Sequence, residues 1–354
     1  MMRLRRSVCD GPGIRRRRRG RGFSYSHDDG SPVSADDVAR IRALAVPPAW
    51  TDVWICPWPH GHIQAVGTDN AGRRQYRYHQ AWREQRDHEK FDRMTELGLR
   101  LPDLRAQVAA HLRRRGLPRD RVLAAAVRLL DTASFRIGGE EYAEENDTYG
   151  LASLRRRHLK VDGNSMTFDF PAKTGQRRIV TVEDAAAARV MAELKRRSGD
   201  AHLLACRLED RWRILRADDV NAYIKAAIGD EFSAKDFRTW NATVLAAAQL
   251  ASVDPVPASE RGRRRAVQAA MVHVSSHLGN TPTVCRGSYV DPRTIERFRQ
   301  GHTIRAALLA DSSRRAVETA VLDLLGVGTP LSRPLSDRRR RRPARTTAEL
   351  RRAA

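Results

Sequence analysis

The sequence predicts an α+β protein with a small β-rich N-terminal domain and a larger, mainly helical domain that contains one β-hairpin. Three patterns support this fold class. Short β-type runs separated by turns dominate residues 23–86, and from about Gln80 apolar residues recur at helical spacing. Strict alternation returns only around Lys173. The chain has 354 residues and is 41% hydrophobic, which is enough to bury the cores of two domains.

The N-terminal part is predicted to form short strands around one helix. Phe23 and Tyr25 alternate ahead of an Asp-Asp-Gly turn signal. Ser34 is a suitable N-cap for a short helix that ends before two consecutive prolines. Three further β-type runs, separated by turns rich in Pro and Gly, lie at residues 53–56, 62–67 and 74–79. This succession indicates a β-meander.

The larger part is predicted to be helical on both sides of a hairpin. Alternating strands at 165–172 and 176–182 flank Lys173-Thr174-Gly175, and Thr181 is a candidate cap for the helix after them. A further short helix is expected to start at Thr281-Pro282, after Gly279 ends the helix before it. Helical periodicity is present at residues 80–97, 103–115, 119–135, 182–197, 234–251 and 263–278.

A large excess of positive charge indicates a polyanionic partner. The 65 basic and 42 acidic side chains give a formal net charge of +23, and 59 of the basic residues are Arg, which suits bidentate phosphate contact. Residues 1–22 hold nine Arg and one Asp, and residues 332–354 hold nine Arg and two acids. We expect a basic arm at 1–22 and an Arg-rich, disordered tail at 332–354, both making salt-dependent, non-specific contacts.

Several other kinds of protein are disfavoured by features that the sequence lacks. No run of 18 apolar residues is present, so no transmembrane helix is expected. The four cysteines are far apart and form no CxxC pair, which predicts free thiols in a reducing cytoplasm. No Walker sequence or metal-binding box is present, so we expect neither a cofactor nor a metal.

Two stretches of the larger domain place cationic side chains near predicted turns. FRIGG at 135–139 puts Arg136 after the end of a helix, and Lys173 is one of only six lysines in the chain. Because surface charge is otherwise supplied by Arg, a Lys at the hairpin tip suggests a need for its titratable proton. The ordinary alternatives are an Arg that interacts with the helix dipole and a simple turn lysine.

Two later stretches add further candidates. SAKDFRTW at 233–240 places Lys235 and Arg238 in the first turns of a helix, where the dipole favours an anion. HLGNTPTVCRGSYVDP at 277–292 places Asn280 just past a helix end and Tyr289 beyond a short helix. The ordinary alternatives are a solvated amphipathic face and a half-buried packing tyrosine.

Together and in this order, the four stretches resemble the type IB DNA topoisomerases of the small bacterial and poxvirus kind. The resemblance covers about residues 15–330, and LGNTPTVCRGSY at 278–289 is its most specific part. Three stretches of the β-rich part are similar to the family's first domain: VPPAWTDVW at 46–54, GHIQAVG at 61–67 and GRRQYRYH at 72–79.

This resemblance implies relaxation of supercoiled DNA by transient cleavage of one strand, rotation and religation, without ATP or an obligatory metal. It implies that Tyr289 is the nucleophile that forms a 3′-phosphotyrosine, that Arg136 and Arg238 clamp the phosphate, and that Lys173 is the general acid. Asn280 stands where poxvirus members have His, and it keeps a hydrogen-bond donor at that position.

The resemblance also implies that the partner is duplex DNA, held by a monomeric clamp in the cytoplasm and associated with the nucleoid, without membrane contact. The clamp would consist of a β-rich domain at 23–86 and a catalytic domain at 87–331. In the predicted strand at 74–79, alternate residues face opposite sides, so Tyr76 and Tyr78 share one face. We expect DNA contacts from Gln75, Tyr76, Tyr78 and Lys235.

Two other functions stay open at this point. A tyrosine recombinase would share the Arg–Lys–Arg–Tyr set, but it usually has a helical N-terminal domain and a His where this chain has Lys235. A non-enzymatic, Arg-rich nucleic-acid-binding protein would explain the charge but not the presence of Lys173, Asn280 and Tyr289 together. Relaxation of a plasmid in EDTA without ATP would distinguish the three.

Overall fold

The computed structural model describes residues 3–198, 201–209, 211–306, 308–311 and 313–327. The chain divides into two compact units, Met1–Asp92 and Arg93–Ala354. A β-sheet dominates the first unit and helices dominate the second, which confirms the predicted α+β class. The predicted Arg-rich tail at 332–354 lies outside the described residues. Within the described ranges, no helix combines the length and apolarity that crossing a membrane requires.

The first unit is built on a five-stranded antiparallel sheet. In chain order its elements are β1 (Ile14–Arg19), β2 (Gly22–His27), α1 (Ala35–Ala43), β3 (Thr51–Ile55), β4 (Ile63–Thr68) and β5 (Arg74–Tyr78). The strand order across the sheet is β2-β1-β3-β4-β5, so the predicted meander is present as neighbouring strands. Ser34 caps α1 as predicted, because its side chain accepts a hydrogen bond from the backbone N–H of Asp37.

Residues 1–22 differ from the predicted basic arm because part of them is a strand inside the sheet. β1 pairs with both β2 and β3, and Ile14 at its start is fully buried. Arg16 donates hydrogen bonds to the carbonyl oxygens of Pro47 and Trp50, and its guanidinium carbon lies 4.2 Å from the centre of the Phe23 ring. The five consecutive arginines of this strand show no alternation of polar and apolar residues, so the sequence does not indicate a strand. The strand forms nevertheless, because the hydrogen bonds between strands are made by backbone groups.

One long helix connects the β-rich part to the helical part. α2 (Gln80–Leu112) begins in the first unit and continues into the second, and it contains Pro102. The sequence showed helical periodicity at residues 80–97 and 103–115, whereas the structure has one continuous helix. An interior proline removes one hydrogen bond and costs about 3 kcal/mol, but Leu97, Leu101 and Leu104 are buried in the main core, and this burial offsets the cost.

The other elements of the second unit follow in chain order. They are α3 (Arg119–Ala133), α4 (Glu140–Asn146), β6 (Leu159–Asp162), β7 (Ser165–Pro171), β8 (Arg177–Glu183), α5 (Ala185–Arg196), β9 (Ala205–Leu208), β10 (Arg211–Ile214), α6 (Ala217–Ile228), α7 (Ala234–Ala251), α8 (Glu260–Leu278), α9 (Pro282–Ser288), α10 (Pro292–Arg299), α11 (Leu308–Asp311) and α12 (Arg314–Leu324). The predicted hairpin is present, since β7 and β8 pair and are joined by a single 3-10 turn at Lys173–Gly175. It is not the single one expected, because β6 adds a third strand beside β7 and the chain also pairs β9 with β10.

Most of the predicted helix ends are confirmed, and one is wrong. α7 follows Ser233, and Gly279 ends α8 in the left-handed conformation at φ +64°. Thr181 does not cap α5, because it lies within β8 opposite Thr167. Asp184 is the cap instead, and its carboxylate accepts from two backbone N–H groups of the first turn, a stronger interaction than a hydroxyl would give.

Two apolar cores organise the second unit. The larger one includes buried residues of α2, α3, α5, α6 and α7, together with the inward face of β7. The smaller one is formed where α7, α8, α9 and α10 pack together. α7 therefore contributes to both cores.

Candidate active site

Four of the five predicted catalytic side chains line one cleft of the second unit. The cleft has a volume of about 560 Å³, and Arg136, Lys173, Arg238 and Tyr289 contribute to its walls together with Lys235. The fifth, Asn280, accepts a hydrogen bond from Nη2 of Arg136 through its side-chain oxygen. Residues separated by more than 150 positions in the sequence are thus brought to one place.

The backbone around Arg136 is held by a neighbouring loop. α3 ends at Ser134 in the left-handed conformation, with φ +52°. The N–H of Leu151 then donates to the Arg136 carbonyl over 2.8 Å. Gly138 has φ +77°, and a Cβ there would lie 2.6 Å from Cα of Gly150. Only glycine permits this approach, which fixes the backbone from which the Arg136 side chain extends.

Arg238 is the most buried cation of the cleft. Only 3% of it is exposed, and it follows the buried Phe237 in the second turn of α7. Its guanidinium donates to the carbonyl oxygen of Ser134 and, over 2.9 Å, to that of Leu278. Burial lowers the pKa of Arg238, and the positive charge of Arg136 lowers it further, although a guanidinium stays protonated in proteins.

Tyr289 is positioned by α9 and by a hydroxyl of α7. It follows the last residue of α9, and its N–H donates to the Cys285 carbonyl over 3.0 Å. Thr243 of α7 donates its hydroxyl to the Tyr289 carbonyl over 3.4 Å. The Tyr289 side chain is half-buried, and the guanidinium carbon of Arg238 lies 5.4 Å from the centre of its ring. This distance is within the range of a cation–π contact.

Three polar atoms in or beside the cleft are buried without a hydrogen-bond partner. They are Nε of Arg238, Nδ2 of Asn280 and Oγ1 of Thr148. Buried polar groups in folded proteins are normally paired, and the two nitrogen atoms can only donate. The cleft is therefore suited to a ligand that supplies several hydrogen-bond acceptors, as a phosphodiester does.

Lys173 lies at the hairpin tip on an exposed site that also borders the cleft. The turn is closed by backbone hydrogen bonds, from Ala172 N–H to the Gln176 carbonyl over 2.8 Å and from Gly175 N–H to the Ala172 carbonyl over 2.9 Å. Gly175 has φ +74°, a conformation in which glycine is favoured. The turn thus sets the point from which the lysine reaches the cleft.

Arg178, which was not among the residues predicted from the sequence, also lies beside these residues. Its guanidinium donates to the carbonyl oxygens of His277 and Leu278, both over 2.6 Å. Burial lowers the pKa of Arg178, as does the charge of Arg136. The sequence did contain one indication of this position. Arg178 and Val182 are four residues apart on β8, so both side chains face the same side of the strand, and that side faces the core.

The predicted DNA contacts of the first unit do not share one surface. Tyr76 and Tyr78 are 44% and 42% exposed, and their rings stack with centres 6.1 Å apart. Gln75 points to the opposite face of β5, and its amide nitrogen donates to Asp69 over 2.9 Å. The two tyrosines therefore form an exposed aromatic pair, whereas Gln75 is bound to the turn before the strand.

Comparisons with known proteins cover both units. A family model for the catalytic core of eukaryotic DNA topoisomerase I matches residues 79–307, and one for the N-terminal domain of bacterial DNA topoisomerase IB matches residues 22–69. The chain is 31% identical over 296 residues to DNA topoisomerase 1B of Acanthamoeba polyphaga mimivirus, which covers 81% of this chain and 87% of the viral protein.

More distant relatives match smaller parts of the chain. DNA topoisomerase 1 of Schizosaccharomyces pombe is 30% identical over 171 residues, which is 47% of this chain and 20% of the yeast protein. DNA topoisomerase 1B of vaccinia virus is 25% identical over 150 residues, which is 40% of this chain and 48% of the viral protein. All five predicted catalytic residues lie within the stretch that matches the catalytic-core model.

Proposed function

The chain belongs to the type IB DNA topoisomerase family, and from this premise we propose that it relaxes supercoiled DNA with Tyr289 as the nucleophile that cuts one strand. The observation that carries this assignment is the cleft shared by Arg136, Lys173, Arg238 and Tyr289. Buried donors without acceptors in and beside that cleft support a phosphodiester as the group that it binds.

In the cleavage step, Oη of Tyr289 attacks phosphorus and the bond from phosphorus to the 5′-oxygen breaks. The products are a 3′-phosphotyrosine and a free 5′-hydroxyl. The new ester keeps the energy of the broken one, so religation needs no ATP. As this bond forms, the phenolic proton leaves to solvent, and the Arg238 guanidinium lies beside the tyrosine ring.

The two clamping arginines stabilise the charge that develops on the non-bridging oxygens. Arg238 is already held by two backbone carbonyls, and Arg136 is held by the Gly279 carbonyl over 3.0 Å and by Asn280. Donors that are positioned before the substrate arrives need no reorganisation during the reaction. Asn280 contributes Nδ2 as one more donor, and Lys173 protonates the 5′-oxygen, which is a poor leaving group as an alkoxide.

Topology changes while the strand is held by Tyr289. The 5′ end rotates about the intact strand, torsional strain drives the rotation, and the reverse attack reseals the break. We propose that a single chain encloses the duplex and acts on nucleoid DNA in the cytoplasm, with the exposed Tyr76–Tyr78 pair and Lys235 as further DNA contacts. No specific observation favours a recombinase or a non-enzymatic role over relaxation.

A plasmid assay tests this function. We expect the protein to relax negatively supercoiled plasmid in EDTA without ATP, and to leave a protein–DNA adduct on a denaturing gel. Tyr289→Phe keeps the ring that packs beside Arg238 but lacks the attacking oxygen, so it should bind DNA and form no adduct. Relaxation that depends on ATP or on a metal, or an adduct formed by the Phe variant, would contradict the proposal.

A further inference from the structure

Two arginines from different elements share the carbonyl groups at the end of α8. The Leu278 carbonyl accepts from Nη1 of Arg178 over 2.6 Å and from Nη2 of Arg238 over 2.9 Å, and the His277 carbonyl accepts from Nη2 of Arg178. The last carbonyls of a helix have no partner within the helix and carry partial negative charge. The end of α8 is thus an acceptor surface that holds guanidinium groups together.

A third arginine is held one residue further along. Arg136 donates to the carbonyl of Gly279 and to the side chain of Asn280. A Cβ at position 279 would collide with Nη1 of Arg178, so glycine is needed there for the approach of this arginine as well as for the left-handed turn. Arg178, Arg136 and Arg238 consequently depend on the same short segment of backbone.

Arg178 links this segment to the hairpin that carries Lys173. It lies near the start of β8, paired with Phe170 of β7, and Lys173 occupies the turn between the two strands. No carboxylate within the described ranges forms an ion pair with Arg178, whose partners there are the two carbonyls. A half-buried cation without a counter-charge is costly, and an apolar residue would suit this inward position of the strand.

We propose that Arg178 is a positioning residue that ties the Lys173 hairpin to the end of α8, and so holds the general acid in register with the phosphate clamp. The inference rests on the role proposed above for Lys173. Of the three arginines held at the end of α8, Arg136 and Arg238 are proposed to bind the phosphate, and Arg178 need not contact it. Without the two carbonyl contacts, the hairpin tip would lose its fixed distance from Arg136 and Asn280.

The test compares two substrates under single-turnover conditions at saturating protein. One has the ordinary 5′-oxygen at the cleavage site, and the other has a bridging 5′-sulfur, which leaves as a thiolate without needing a proton. For Arg178→Ala we expect cleavage of the oxygen substrate to slow by about 10- to 10²-fold, since a displacement near 1 Å can cost that much. Cleavage of the sulfur substrate should stay within about threefold of the unchanged protein, because no general acid is required.

Arg177→Ala is the matched control. Arg177 is the neighbouring residue on the outward face of β8, where it pairs with Asp169 over 2.7 Å, and its side chain is 71% exposed. Its removal deletes the same charge from the same strand without touching α8, so both rates should be retained. Arg178→Lys keeps the charge but cannot donate to both carbonyls as a fork does, and it should show the same substrate preference in weaker form.

A double variant separates this role from a general structural one. If Arg178 acts through Lys173, then Arg178→Ala combined with Lys173→Ala should cleave the oxygen substrate no more slowly than Lys173→Ala alone. Equal slowing on both substrates by Arg178→Ala and Arg178→Lys, after correction for the folded fraction from thermal melting, would overturn the proposal, as would additive losses in the double variant. If Lys173→Ala itself shows no preference for sulfur, the acid assignment fails first and the role of Arg178 fails with it.

Discussion

Arg136 and Arg238 have the same side chain but different surroundings, and this difference separates their roles in stability. Arg238 is almost fully buried and satisfies carbonyl groups of Ser134 and Leu278. Arg136 is half-buried, and its hydrogen bonds within the described part of the chain go to the turn that follows α8. Removal of Arg238 therefore takes the donor from the buried Ser134 carbonyl, whereas removal of Arg136 leaves an acceptor at the exposed Gly279, which water can reach.

Replacing either arginine with lysine should slow cleavage and religation together. An ammonium is a point charge and cannot offer two parallel donors to two phosphate oxygens. Both directions share one transition state, so the cleavage equilibrium should barely change while each rate falls by about 10²- to 10³-fold. Rapid-quench measurement of both directions on a suicide substrate checks this. Asn280→Ala should have a smaller effect, because a neutral donor interacts more weakly with an anion.

The folding stability of the same variants tests the structural roles of the two arginines separately from catalysis. Arg238→Lys should lower the free energy of unfolding by about 1–3 kcal/mol because a buried carbonyl loses its donor, and Arg136→Lys should change it little. Thermal melting of the two proteins side by side measures the difference. Equal melting temperatures would show that the carbonyl contacts of Arg238 contribute nothing to stability.

Among the helices, the contact between α2 and α7 depends on the absence of a side chain. A Cβ at Gly98 would lie 2.6 Å from the indole ring of Trp240, which is fully buried. In an exposed helix, Gly→Ala stabilises by about 1 kcal/mol. Here the added methyl group must displace a large ring in a packed core.

The usual effect of Gly→Ala in a helix is stabilising, but we expect Gly98→Ala to lower the free energy of unfolding by about 1–3 kcal/mol. Gly287→Ala in α9 is the control, because a Cβ there meets nothing within 4 Å, and it should leave stability unchanged or slightly raised. Urea unfolding curves for the two variants give the comparison. Stabilisation by Gly98→Ala would mean that Trp240 can move without cost.

The arginines of β1 divide into two groups that sequence composition could not separate. Arg16 is bound by the carbonyls of Pro47 and Trp50, and Arg15 pairs with Asp28 over 2.7 Å. The next three, Arg17, Arg18 and Arg19, are exposed, and no ion-pair partner for them lies within the described part of the chain.

Changing Arg17, Arg18 and Arg19 together to Ala should weaken DNA binding and flatten its dependence on salt. Each lost phosphate contact should reduce the log–log slope by about 0.9. Arg16→Ala should instead lower the melting temperature and leave that slope unchanged, because its donors serve the fold. Fluorescence anisotropy at several salt concentrations, with melting curves, separates the two effects. A reduced salt dependence of DNA binding for Arg16→Ala, with no change for the triple variant, would show that Arg16 contacts DNA and that the other three do not.

For the whole molecule, the net charge of +23 predicts strongly salt-dependent association with DNA. Residues 338–354 contain eight arginines. Their deletion should weaken binding and reduce the salt slope, while single-turnover cleavage at saturating protein should be nearly unchanged, since all five proposed catalytic residues lie elsewhere. Loss of the chemical step at saturation would show that this segment helps to form the active site.

The sequence by itself determined the features that depend on neighbouring residues. The fold class followed from the change between periods of two and 3.6, and the ends of α1 and α8 followed from Ser34 and Gly279, because caps act over one turn. The resemblance carried by a few short stretches led to the family and to five candidate residues. These conclusions required no knowledge of which distant segments meet.

Tertiary structure decided the features that depend on contacts between distant segments. It buried Arg238 against carbonyls 40 and 104 positions away, and it placed β1 inside a sheet. It also kept α2 helical across Pro102, because burial of the helix in the core offsets the lost hydrogen bond. It also brought Arg178 to the end of α8. The carbonyl partners of these guanidinium groups come from segments far apart in the sequence. No local pattern of residues could therefore specify which carbonyls each arginine would bind.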